Sequence, residues 1–582
     1  MKCLLIAINA KYIHSNLAVA SLKSYARAQE REDDTVIETA EYTINQPEDG
    51  ILADIYRRKP DVAAFSCYIW NWDVVRRLTD NLRRIRPELP IWLGGPEVSF
   101  ETVSVLETLP FVTGIMAGEG ERVFDGLLRY YEGAGRLEDV PGLTFRSEGA
   151  DGPIACRAPG EPMDLNEVPF AGWDPAFFKH RILYYESSRG CPFSCSYCLS
   201  SVDKKLRFRN LALVKKELSL FLEAGVLQVK FVDRTFNCER KRAREIWRFI
   251  RENDNGVTNF HFEIGADLLE KEDLDLLGRM RPGQVQLEIG VQTTNPRTLE
   301  EIRRYADGKR LKENVRTVRS FGNIHQHLDL IAGLPFEDYE SFGRSFDEVY
   351  ELRPNQLQLG FLKVLKGSYM YEKQTDYGIC VGSGPPYEVL STRWLSYEDI
   401  VRLKGVEEMV EQYYNSGQFI KTMSYLAGCF LSPFFLYEAL ASYWRDHTET
   451  GQNFSRNARY ERLLDFVAET LPEKTEEARA LLIYDLYLRE PVKSRPAFAG
   501  DLSACREEIS DRSAVLWERE RTEGRTALPY RRFLHETHME VFFRDPEHPE
   551  RKGQFWYWFD YRERDPLSGN GRAYRLESRN GE

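Results

Sequence analysis

Two stretches of the chain alternate short apolar runs with helical patterns, and this alternation restricts the fold more than any other feature. In residues 1–135 the strand-like runs are Leu4–Asn9, Thr35–Tyr42, Asp61–Trp70, Ile91–Gly95 and Gly114–Ala117. Strands separated by helices pair in parallel and form a doubly wound sheet. The first stretch is therefore predicted to be a Rossmann-like α/β domain, with ligands beyond the carboxyl ends of its strands.

The second stretch, residues 181–370, repeats the alternation. Its strand-like runs are Leu183–Glu186, Gln228–Val232, Asn259–Ile264, Gln284–Ile289, His325–Ile331 and Gln356–Phe361. These βα units predict an open, partial (β/α)6 barrel, in which functional groups lie at the carboxyl ends of the strands.

The remaining residues have a different character. Residues 136–180 are rich in Pro and Gly and are interpreted as a linker. Residues 371–582 are predicted to form a mainly helical C-terminal domain of unknown role. Its helical patterns are Tyr397–Tyr414, Asn457–Leu471 and Thr475–Leu488, and its two aromatic strand patterns are His538–Arg544 and Gln554–Tyr561.

Charge and cysteine usage limit the function classes. The formal net charge of −12 argues against non-specific nucleic-acid binding, which relies on neutralising phosphates with Lys and Arg. Apart from three clustered residues, the cysteines are scattered, as in a reduced cytoplasmic protein. The apolar stretch Tyr425–Trp444 is long enough to span a membrane. Pro433 and Glu438 are costly in lipid, so two buried helix segments bent at Ser432–Pro433 are predicted instead.

Three clustered cysteines carry the most specific signal in the chain. Cys191, Cys195 and Cys198 have the spacing C-x3-C-x2-C. Thiolates are natural ligands of iron–sulfur clusters, and three ligands on a four-iron cluster leave one iron open for a substrate. The alternative is a zinc site, which normally takes four nitrogen or sulfur ligands. The nearest histidine, His180, precedes the strand, and no fourth cysteine is close.

These residues resemble the radical S-adenosylmethionine (SAM) superfamily. The resemblance rests on the three cysteines with Tyr197 before the last, and it extends to Leu287–Thr294 and Asp329–Pro335, which are similar to strand ends of that barrel. It implies that the cysteines are the catalytic metal ligands of a [4Fe-4S] cluster, with SAM at the open iron. It also implies cleavage of SAM to a 5′-deoxyadenosyl radical, chemistry that the cofactor carries.

The resemblance further implies contacts to SAM. Asp233 stands near the place where family members carry a Gly-Gly-Glu type of motif, so it is a candidate to meet the methionine amino group. Pairing with Arg234, or capping of the following helix, is an equal alternative for Asp233. Gln292 is expected to meet a polar part of SAM, Gly333 to let the backbone approach the adenosine, and Tyr197 to belong to the cofactor-binding residues.

Two acidic residues lie on neighbouring predicted barrel strands. Glu263 and Glu288 would be able to perform acid–base work or hold a ligand. A salt bridge, for example to Arg303 or Arg304, is the favoured interpretation for Glu288. Glu263 remains a candidate for cofactor binding.

The N-terminal domain resembles the cobalamin-binding domain of one large radical SAM subclass. The supporting motifs are Gly-Gly-Pro-Glu from Gly94 and Gly-Glu-Gly-Glu from Gly118, each after a predicted strand. Glycines let the backbone approach a bulky ligand closely. The implied cobalamin contacts are Ser66, Tyr68, Gly94, Gly95, Glu97, Gly118, Glu119 and Gly120.

Histidine and aromatic residues refine this expectation. The Asp-x-His-x-x-Gly motif is absent and His14 is the domain's only histidine, which implies base-off cobalamin without a histidine ligand. His14 is interpreted as a loop or helix-cap residue. Tyr68, Trp70 and Trp72 would either cover the lower face of the corrin or pack against the next helix. A nucleotide-binding domain is the alternative use of the fold, but no G-x-G-x-x-G opens the first helix.

Together the resemblances imply a cobalamin-dependent radical SAM methyltransferase that acts on an unactivated carbon through the 5′-deoxyadenosyl radical and methylcobalamin. The alternative within the superfamily is a non-methylating rearrangement, cyclisation, sulfur insertion or tRNA-base modification. A third hypothesis is a regulatory protein that keeps the cluster as a sensor.

The expected partners follow from this chemistry. They are a small-molecule, peptide or tRNA substrate and a reducing protein such as flavodoxin or ferredoxin, without a membrane. The C-terminal region resembles a domain of uncharacterised role found on some cobalamin-type radical enzymes. It is expected to close the open side of the barrel and to shape the substrate pocket.

Overall fold

A computed structural model describes residues 1–29, 35–147, 152–170, 174–447 and 454–577. Parts of the interpreted linker, 148–151 and 171–173, lie outside the described residues, as do 448–453 and 578–582 of the C-terminal domain.

The N-terminal domain is built on one seven-stranded sheet. Its strands are β1 (Lys2–Asn9), β2 (Val36–Thr43), β3 (Val62–Ser66), β4 (Ile91–Gly94), β5 (Gly114–Met116), β6 (Leu143–Arg146) and β7 (Ile154–Cys156). Its helices are α1 (Leu17–Ala28), α2 (Glu48–Arg57), α3 (Trp72–Ile85), α4 (Thr102–Glu107) and α5 (Gly120–Tyr131). The order is β2-β1-β3-β4-β5-β6-β7 and the first five strands are parallel, which confirms the predicted doubly wound domain.

Both faces of this sheet are buried. Leu4 and Ile6 of β1 pack in one hydrophobic cluster, whereas Leu5 and Ala7 pack in another on the opposite face. Parallel strands covered on both sides have near-continuous apolar sequences. The functional groups of this domain are therefore expected at the carboxyl ends of the strands and in the loops beyond them.

The stretch interpreted as a linker holds two strands. β6 pairs antiparallel with β5, and β7 pairs antiparallel with β6, so both extend the first sheet. Strands this short, flanked by Pro and Gly, give little alternation in the sequence. The division into residues 1–135, 136–180, 181–370 and 371–582 stays a prediction.

The central domain is a second parallel sheet. Its strands are β8 (Leu183–Tyr185), β11 (Gln228–Phe231), β12 (Asn259–Ile264), β13 (Val285–Gln292), β14 (His325–Ala332) and β15 (Gln356–Phe361), and a separate antiparallel pair is formed by β9 (Ser188–Arg189) and β10 (Arg207–Phe208). Its helices are α6 (Leu211–Glu223), α7 (Arg240–Glu252), α8 (Lys271–Leu277), α9 (Pro296–Glu301), α10 (Gly308–Phe321) and α11 (Tyr339–Tyr350). The strand order β15-β14-β13-β12-β11-β8 confirms the six-stranded partial barrel.

The C-terminal domain is mainly helical, as predicted. Its helices are α12 (Tyr369–Lys373), α13 (Tyr397–Met409), α14 (Ile420–Ala427), α15 (Pro433–His447), α16 (Arg456–Thr470), α17 (Thr475–Arg489), α18 (Arg506–Thr522) and α19 (Tyr530–Phe533). Its strands are β16 (Cys380–Val381), β17 (Val389–Ser391), β18 (Thr537–Arg544), β19 (Lys552–Asp560) and β20 (Arg572–Leu576), of which β16, β17 and β20 were not predicted.

The apolar stretch 425–444 is divided between two helices, because α15 begins at Pro433 after α14 has ended. Among the described residues, no helix has the length and apolar character needed to cross a membrane.

The C-terminal domain covers the exposed edge of the barrel sheet. The side-chain amide of Asn415 donates to the carbonyl oxygen of Leu357 on β15 and accepts from its N–H, both at 2.9 Å. The Tyr414 hydroxyl donates to the Pro354 carbonyl oxygen at 2.6 Å. These bonds satisfy backbone groups of an edge strand that would otherwise be open to pairing.

Candidate functional site

A cavity of about 780 Å³ lies between the carboxyl edge of the first sheet and the barrel. The N-terminal residues predicted to contact cobalamin line it, with one exception: Ser66, Tyr68, Gly94, Gly95, Gly118, Glu119 and Gly120. Leu199 and Ser200, directly after Cys198, belong to the same lining. The tertiary structure therefore brings the glycine loops of one domain and the cysteine loop of the other to one space.

The glycine loops come unusually close to their neighbours. Gly95 has a φ of +112°, and a Cβ there would lie 2.5 Å from the carbonyl oxygen of Cys67. At Gly120 a Cβ would lie 2.9 Å from Leu22 Cδ2. Only glycine combines that backbone conformation with that approach at position 95. Gly94, Gly95, Gly118 and Gly120 add no side chain to the cavity that they line.

Aromatic rings form part of the cavity wall. Tyr68 and Trp70 stack with ring centroids 4.2 Å apart, and both line the cavity. Trp72 begins α3 and packs against the hydrophobic cluster instead. Two of the three aromatic residues thus line the cavity, and the third has the packing role; contact with a corrin stays a prediction.

Glu97 is the exception among the predicted cobalamin contacts. It does not line the cavity, and its carboxylate accepts a hydrogen bond from the Tyr387 hydroxyl. Burial raises the pKa of Glu97. Here the carboxylate joins the N-terminal domain to the segment after the barrel.

Glu119 lines the cavity but has protein partners. It lies 3.3 Å from Arg189 Nη1 and 2.6 Å from Arg207 Nη1, and it accepts from the Met163 N–H at 2.7 Å. Burial raises the pKa of Glu119, but these partners outweigh it and hold the pKa below its usual value. Glu121 pairs with Arg189 as well, at 2.8 Å. The second glycine loop is therefore joined by ion pairs to Arg189, before the cysteines, and to Arg207, after them.

The cysteine loop is fixed from both sides. Gly190 has a φ of +91°, and a Cβ there would lie 2.7 Å from the Lys205 carbonyl oxygen. Cys191 N–H donates to the Asp203 carbonyl oxygen at 3.0 Å, and Ser196 N–H to that of Ile302 at 2.9 Å. Cys191 and Cys195 are buried, and Cys198 is half-buried.

A half-buried arginine lies beside these thiols. Arg304 donates to Cys195 Sγ at 3.8 Å and to the carbonyl oxygen of Gly290 on β13. Burial raises the pKa of the Tyr197 hydroxyl, and the side chain packs against the barrel core. No three His, Cys, Asp or Glu side chains are grouped for metal binding within the described ranges. The fit to a cluster therefore rests on donor chemistry: three thiols on one loop, next to a cation.

Asp233 neither pairs with Arg234 nor caps the following helix, whose N-cap is Glu239. It is buried under the turn before the cysteines and accepts from the Ser187 N–H at 2.9 Å, the Ser187 hydroxyl at 2.7 Å and the Ser188 hydroxyl at 2.6 Å. Burial raises the pKa of Asp233 to about 6. The flanking residues Val232 and Arg234 line the cavity, whereas Asp233 does not. Its contact with SAM stays a prediction.

Gln292 and Gly333 lie at strand ends with left-handed backbones. Gln292 ends β13 with a φ of +73°, and its Oε1 is buried with no hydrogen-bond partner among the described residues. Gly333 has a φ of +92°, and a Cβ there would lie 2.7 Å from Val389 Cγ1. Gln292 is therefore free to meet a ligand, whereas β17 of this chain occupies the space beside Gly333.

The two acidic residues of the barrel face inward in very different settings. The Glu288 carboxylate lies 3.0 Å from Lys230 Nζ and accepts a hydrogen bond from His261 Nε2 at 2.8 Å. The salt bridge favoured for Glu288 is therefore present, but its partner is Lys230 rather than Arg303 or Arg304. Burial raises the pKa of Glu288, but His261 and Lys230 outweigh it and hold the pKa at about 2. Burial raises the pKa of Glu263 to about 7.

His14 joins the two domains. Its Nδ1 lies 2.7 Å from the hydroxyl of Tyr184 on β8, and both side chains line the cavity. Burial lowers the pKa of His14. Asn16, not His14, caps α1 by accepting from the Val19 N–H at 3.1 Å.

Comparisons with known proteins match each part of this arrangement. Family models match residues 4–128 as a B12 binding domain, 185–349 as the radical SAM superfamily and 375–555 as a protein family of unknown function, DUF4080. The chain is a radical SAM protein with a B12-binding domain.

Similar proteins share this organisation. The cobalamin-dependent radical SAM methyltransferase TokK of Streptomyces tokunonensis is 27% identical over 56% of this chain and 50% of its own length. An uncharacterized methyltransferase of Pyrococcus horikoshii is 24% identical over 50% of this chain and 64% of its own. The chain thus spans about half to two thirds of the curated relatives it matches.

Solved structures reproduce the fold. The cobalamin-dependent SAM radical enzyme OxsB, with aqua-cobalamin bound, matches 84% of this chain and 80% of its own with a TM-score of 0.60 and 16% identity. The radical SAM methyltransferase TsrM of Kitasatospora setae, with cobalamin and a [4Fe-4S] cluster bound, matches 68% of this chain and 82% of its own with a TM-score of 0.54 and 16% identity.

Sequence reasoning missed most of the charged partners in this radical SAM protein. Lys230, His261, His327 and Asp329 face the barrel interior, and Arg304 lies beside the cysteines. Polar residues at every second position of β12 and β14 were a readable signal, because that period places them on one face of a strand. Arg304, on the loop after α9, carried no comparable signal.

Proposed function

We propose that this chain is a cobalamin-dependent radical SAM methyltransferase that acts on an unactivated carbon. The observation that carries the proposal is the shared cavity, in which glycine loops of a B12-binding domain and the cysteine loop of a radical SAM barrel line one space. A methyl carrier and a radical source must both reach one substrate carbon, and a cavity lined by both loops supports this arrangement.

The residues of the chain have distinct tasks in this proposal. Cys191, Cys195 and Cys198 hold a [4Fe-4S] cluster, and Gln292 offers its unpartnered Oε1 to SAM. Gly95 and Gly118 give cobalamin an open backbone surface beside the stacked Tyr68 and Trp70. When bound, these groups supply a carbon-centred radical and a methyl carrier, chemistry that belongs to the cofactors.

The protein contributes orientation and exclusion of water. Arg189 and Arg207 pair with Glu119 across the domain boundary, so the two cofactor sites keep a fixed relation. Fixing reacting groups in one geometry is a large part of what a protein adds to such chemistry. We place the chain in the cytoplasm, where a flavodoxin or ferredoxin would supply electrons.

A second candidate is radical cyclisation without methyl transfer. An anaerobic magnesium-protoporphyrin IX monomethyl ester cyclase of Rubrivivax gelatinosus is 23% identical over 58% of this chain and 62% of its own length. The same cavity would then hold the substrate, and one SAM per turnover would suffice.

The test is made on holoprotein purified without oxygen after growth with cobalamin. We expect near-stoichiometric base-off cobalamin by absorbance. With SAM and a strong reductant, we expect both S-adenosylhomocysteine and 5′-deoxyadenosine. Formation of 5′-deoxyadenosine alone would favour cyclisation, and absence of cobalamin from protein with a full cluster would contradict methyl transfer.

A further inference from the structure

The C-terminal domain contains a cavity of its own, with a volume of about 470 Å³. It lies between α17, α18 and β18. Among the described residues, none that lines it belongs to the barrel or to the cavity between the first sheet and the cysteine loop. A space of this size is typical of sites that bind small molecules. We call it the C-terminal cavity.

The C-terminal cavity follows the edge of the three-stranded sheet. β18 is an outer strand of that sheet, and four successive residues of the strand, 537–540, line the cavity. Successive side chains of a strand point to opposite faces, so the cavity reaches both faces around the edge. The Glu540 carboxylate lies on one face. The other face offers an apolar wall that includes Ile509, Leu516, Phe533 and Met539.

Glu540 is a buried carboxylate with only one of its oxygens in use. Its side chain is 1% exposed. Oε2 lies 2.8 Å from Arg495 Nη1 and 2.9 Å from His538 Nε2. Oε1 is also buried, but it has no hydrogen-bond partner among the described residues. A buried acceptor without a partner is costly, so a donor entering the cavity would stabilise this carboxylate.

The charges around the cavity decide which kind of donor fits. Arg495 also donates to two backbone carbonyl oxygens, which hold its guanidinium against Glu540. An ammonium group at Glu540 would be repelled by Arg495, and an anion would be repelled by Glu540 itself. Asp501 and Arg506, which line the cavity and are exposed, are opposite in charge as well. An uncharged O–H or N–H group is therefore the donor that suits this balanced surrounding.

We propose that the C-terminal cavity binds an uncharged, mainly apolar small molecule that donates a hydrogen bond from a hydroxyl or amide group to Glu540 Oε1. The apolar wall takes the body of the molecule, and burial of that surface supplies most of the affinity. Trp558 also lines the cavity, and its buried indole N–H has no partner in the part of the chain that the structure describes, so it can donate to an oxygen of the ligand.

An ordered water molecule is the competing partner for Glu540 Oε1. One water takes about 30 Å³ in the liquid, so it would fill a small part of the C-terminal cavity and leave the apolar wall without contacts. A larger ligand satisfies the carboxylate and covers the wall together. The proposal does not depend on methyl transfer, because this site shares no lining residue with the cavity assigned to the cofactors.

The experiment compares two probes with the same ring system, 2-naphthol and 2-methoxynaphthalene, of which only 2-naphthol has a hydrogen-bond donor. Both are titrated by calorimetry into holoprotein loaded with cobalamin and SAM. We expect 2-naphthol to bind about tenfold more tightly, as one hydrogen bond to a charged acceptor allows. Equal affinity for the two probes, or no binding of 2-naphthol, would overturn the proposal.

Glu540→Gln tests the acceptor. Arg495 should hold the amide oxygen of the new side chain, which leaves its NH₂ group at the position of Oε1 and no acceptor there. The preference for 2-naphthol should therefore disappear. Glu550→Gln removes an exposed carboxylate after β18 and is the matched control that should keep the preference. A preference retained in folded Glu540→Gln would contradict the proposal.

Ile509→Trp tests the location of the site independently, in case Glu540→Gln does not fold. The larger ring should fill the C-terminal cavity from α18 and weaken binding of both probes about tenfold. Val515→Trp adds the same ring on the same helix, at a position that is 62% exposed and does not line the cavity, and it should bind both probes as wild type does. Equal binding by the two tryptophan variants would place the probes elsewhere and overturn the proposal.

Discussion

The two parallel sheets of this molecule use the same βα pattern and place their functional groups differently. In the N-terminal sheet both faces of the strands are covered, so residues such as Leu4 and Leu5 are buried on opposite sides. In the barrel only the convex face is covered, and the concave face carries Lys230, Glu263 and Glu288.

This difference shows how coverage decides where chemistry can occur. A sheet buried on both faces binds a ligand at the carboxyl ends of its strands and with the loops beyond them, and Gly95 and Gly118 lie in such loops. A half-open barrel can also use side chains along the strands. The first domain therefore offers backbone to a large ligand, and the second offers charge to a small one.

The largest expected effect is at the cysteine loop. Cys195→Ala should remove one of three cluster ligands and abolish SAM cleavage, because nothing else in the loop replaces a thiolate. Iron and sulfide content and 5′-deoxyadenosine formation measure this. Cys505→Ala, in the C-terminal domain, is the control and should behave as wild type. A full iron–sulfur cluster in Cys195→Ala would contradict the assignment of the cysteine loop as the cluster-binding site.

The next effect concerns the backbone surface of the first sheet. Gly95→Ala should cost about 3–4 kcal/mol, since it adds a left-handed φ penalty to a clash with the Cys67 carbonyl oxygen. Cobalamin retention and thermal unfolding are measured together.

Gly133→Ala is the matched control for Gly95→Ala. It has a similar positive φ with nothing within 4 Å, so it should cost only about 1–2 kcal/mol and retain cobalamin. Equal behaviour of the two variants would show that close approach has no role at Gly95.

The third effect tests the charged face of the barrel. The pKa of Glu288 is held at about 2, so its carboxylate stabilises the fold above its ordinary pKa and loses that contribution as the pH falls toward 2. Glu288→Gln should cost about 2–3 kcal/mol at pH 7, because Lys230 and His261 lose their acceptor. Chemical denaturation across a pH series measures this cost.

Glu263→Gln should behave in the opposite way. The pKa of Glu263 is raised to about 7, so the folded state holds its proton more tightly, and the contribution of Glu263 to stability falls as the pH rises from its ordinary pKa to 7. The free energy of unfolding of Glu263→Gln should exceed that of wild type at pH 8, and this difference should disappear at pH 5. If the stabilities of Glu288→Gln and Glu263→Gln relative to wild type changed with pH in the same direction, the opposite pKa shifts inferred for these two residues would be wrong.

The smallest effect concerns the ion pairs of Glu119 with Arg189 and Arg207, which join the N-terminal domain to the barrel. Glu119→Gln should leave cobalamin and cluster in place and slow S-adenosylhomocysteine formation about tenfold, because Arg189 and Arg207 lose their shared carboxylate. Glu167→Gln breaks an exposed pair with Arg122 and should change nothing. Loss of cobalamin in Glu119→Gln would make Glu119 a cofactor contact, as the sequence predicted.

Local patterns predicted much of this architecture. The apolar runs located the parallel strands, and the break at Pro433 located the start of a helix, since both signals reside in neighbouring residues. Seven short strands were missed, because such strands depend on the partners that pair with them: β6, β7, β9, β10, β16, β17 and β20. Seven of the eight residues predicted to contact cobalamin line the cavity, since strand-end loops gather at one sheet edge.

The sequence by itself determined the two parallel domains, the helical third domain and the cysteine loop, because strand period, helix period and ligand spacing are properties of contiguous residues. Only the tertiary structure decided that Glu97 meets Tyr387, that Val389 fills the space beside Gly333 and that Glu288 pairs with Lys230 rather than Arg304. These contacts join residues far apart in the chain, and their formation depends on how separate elements pack, which no local pattern encodes.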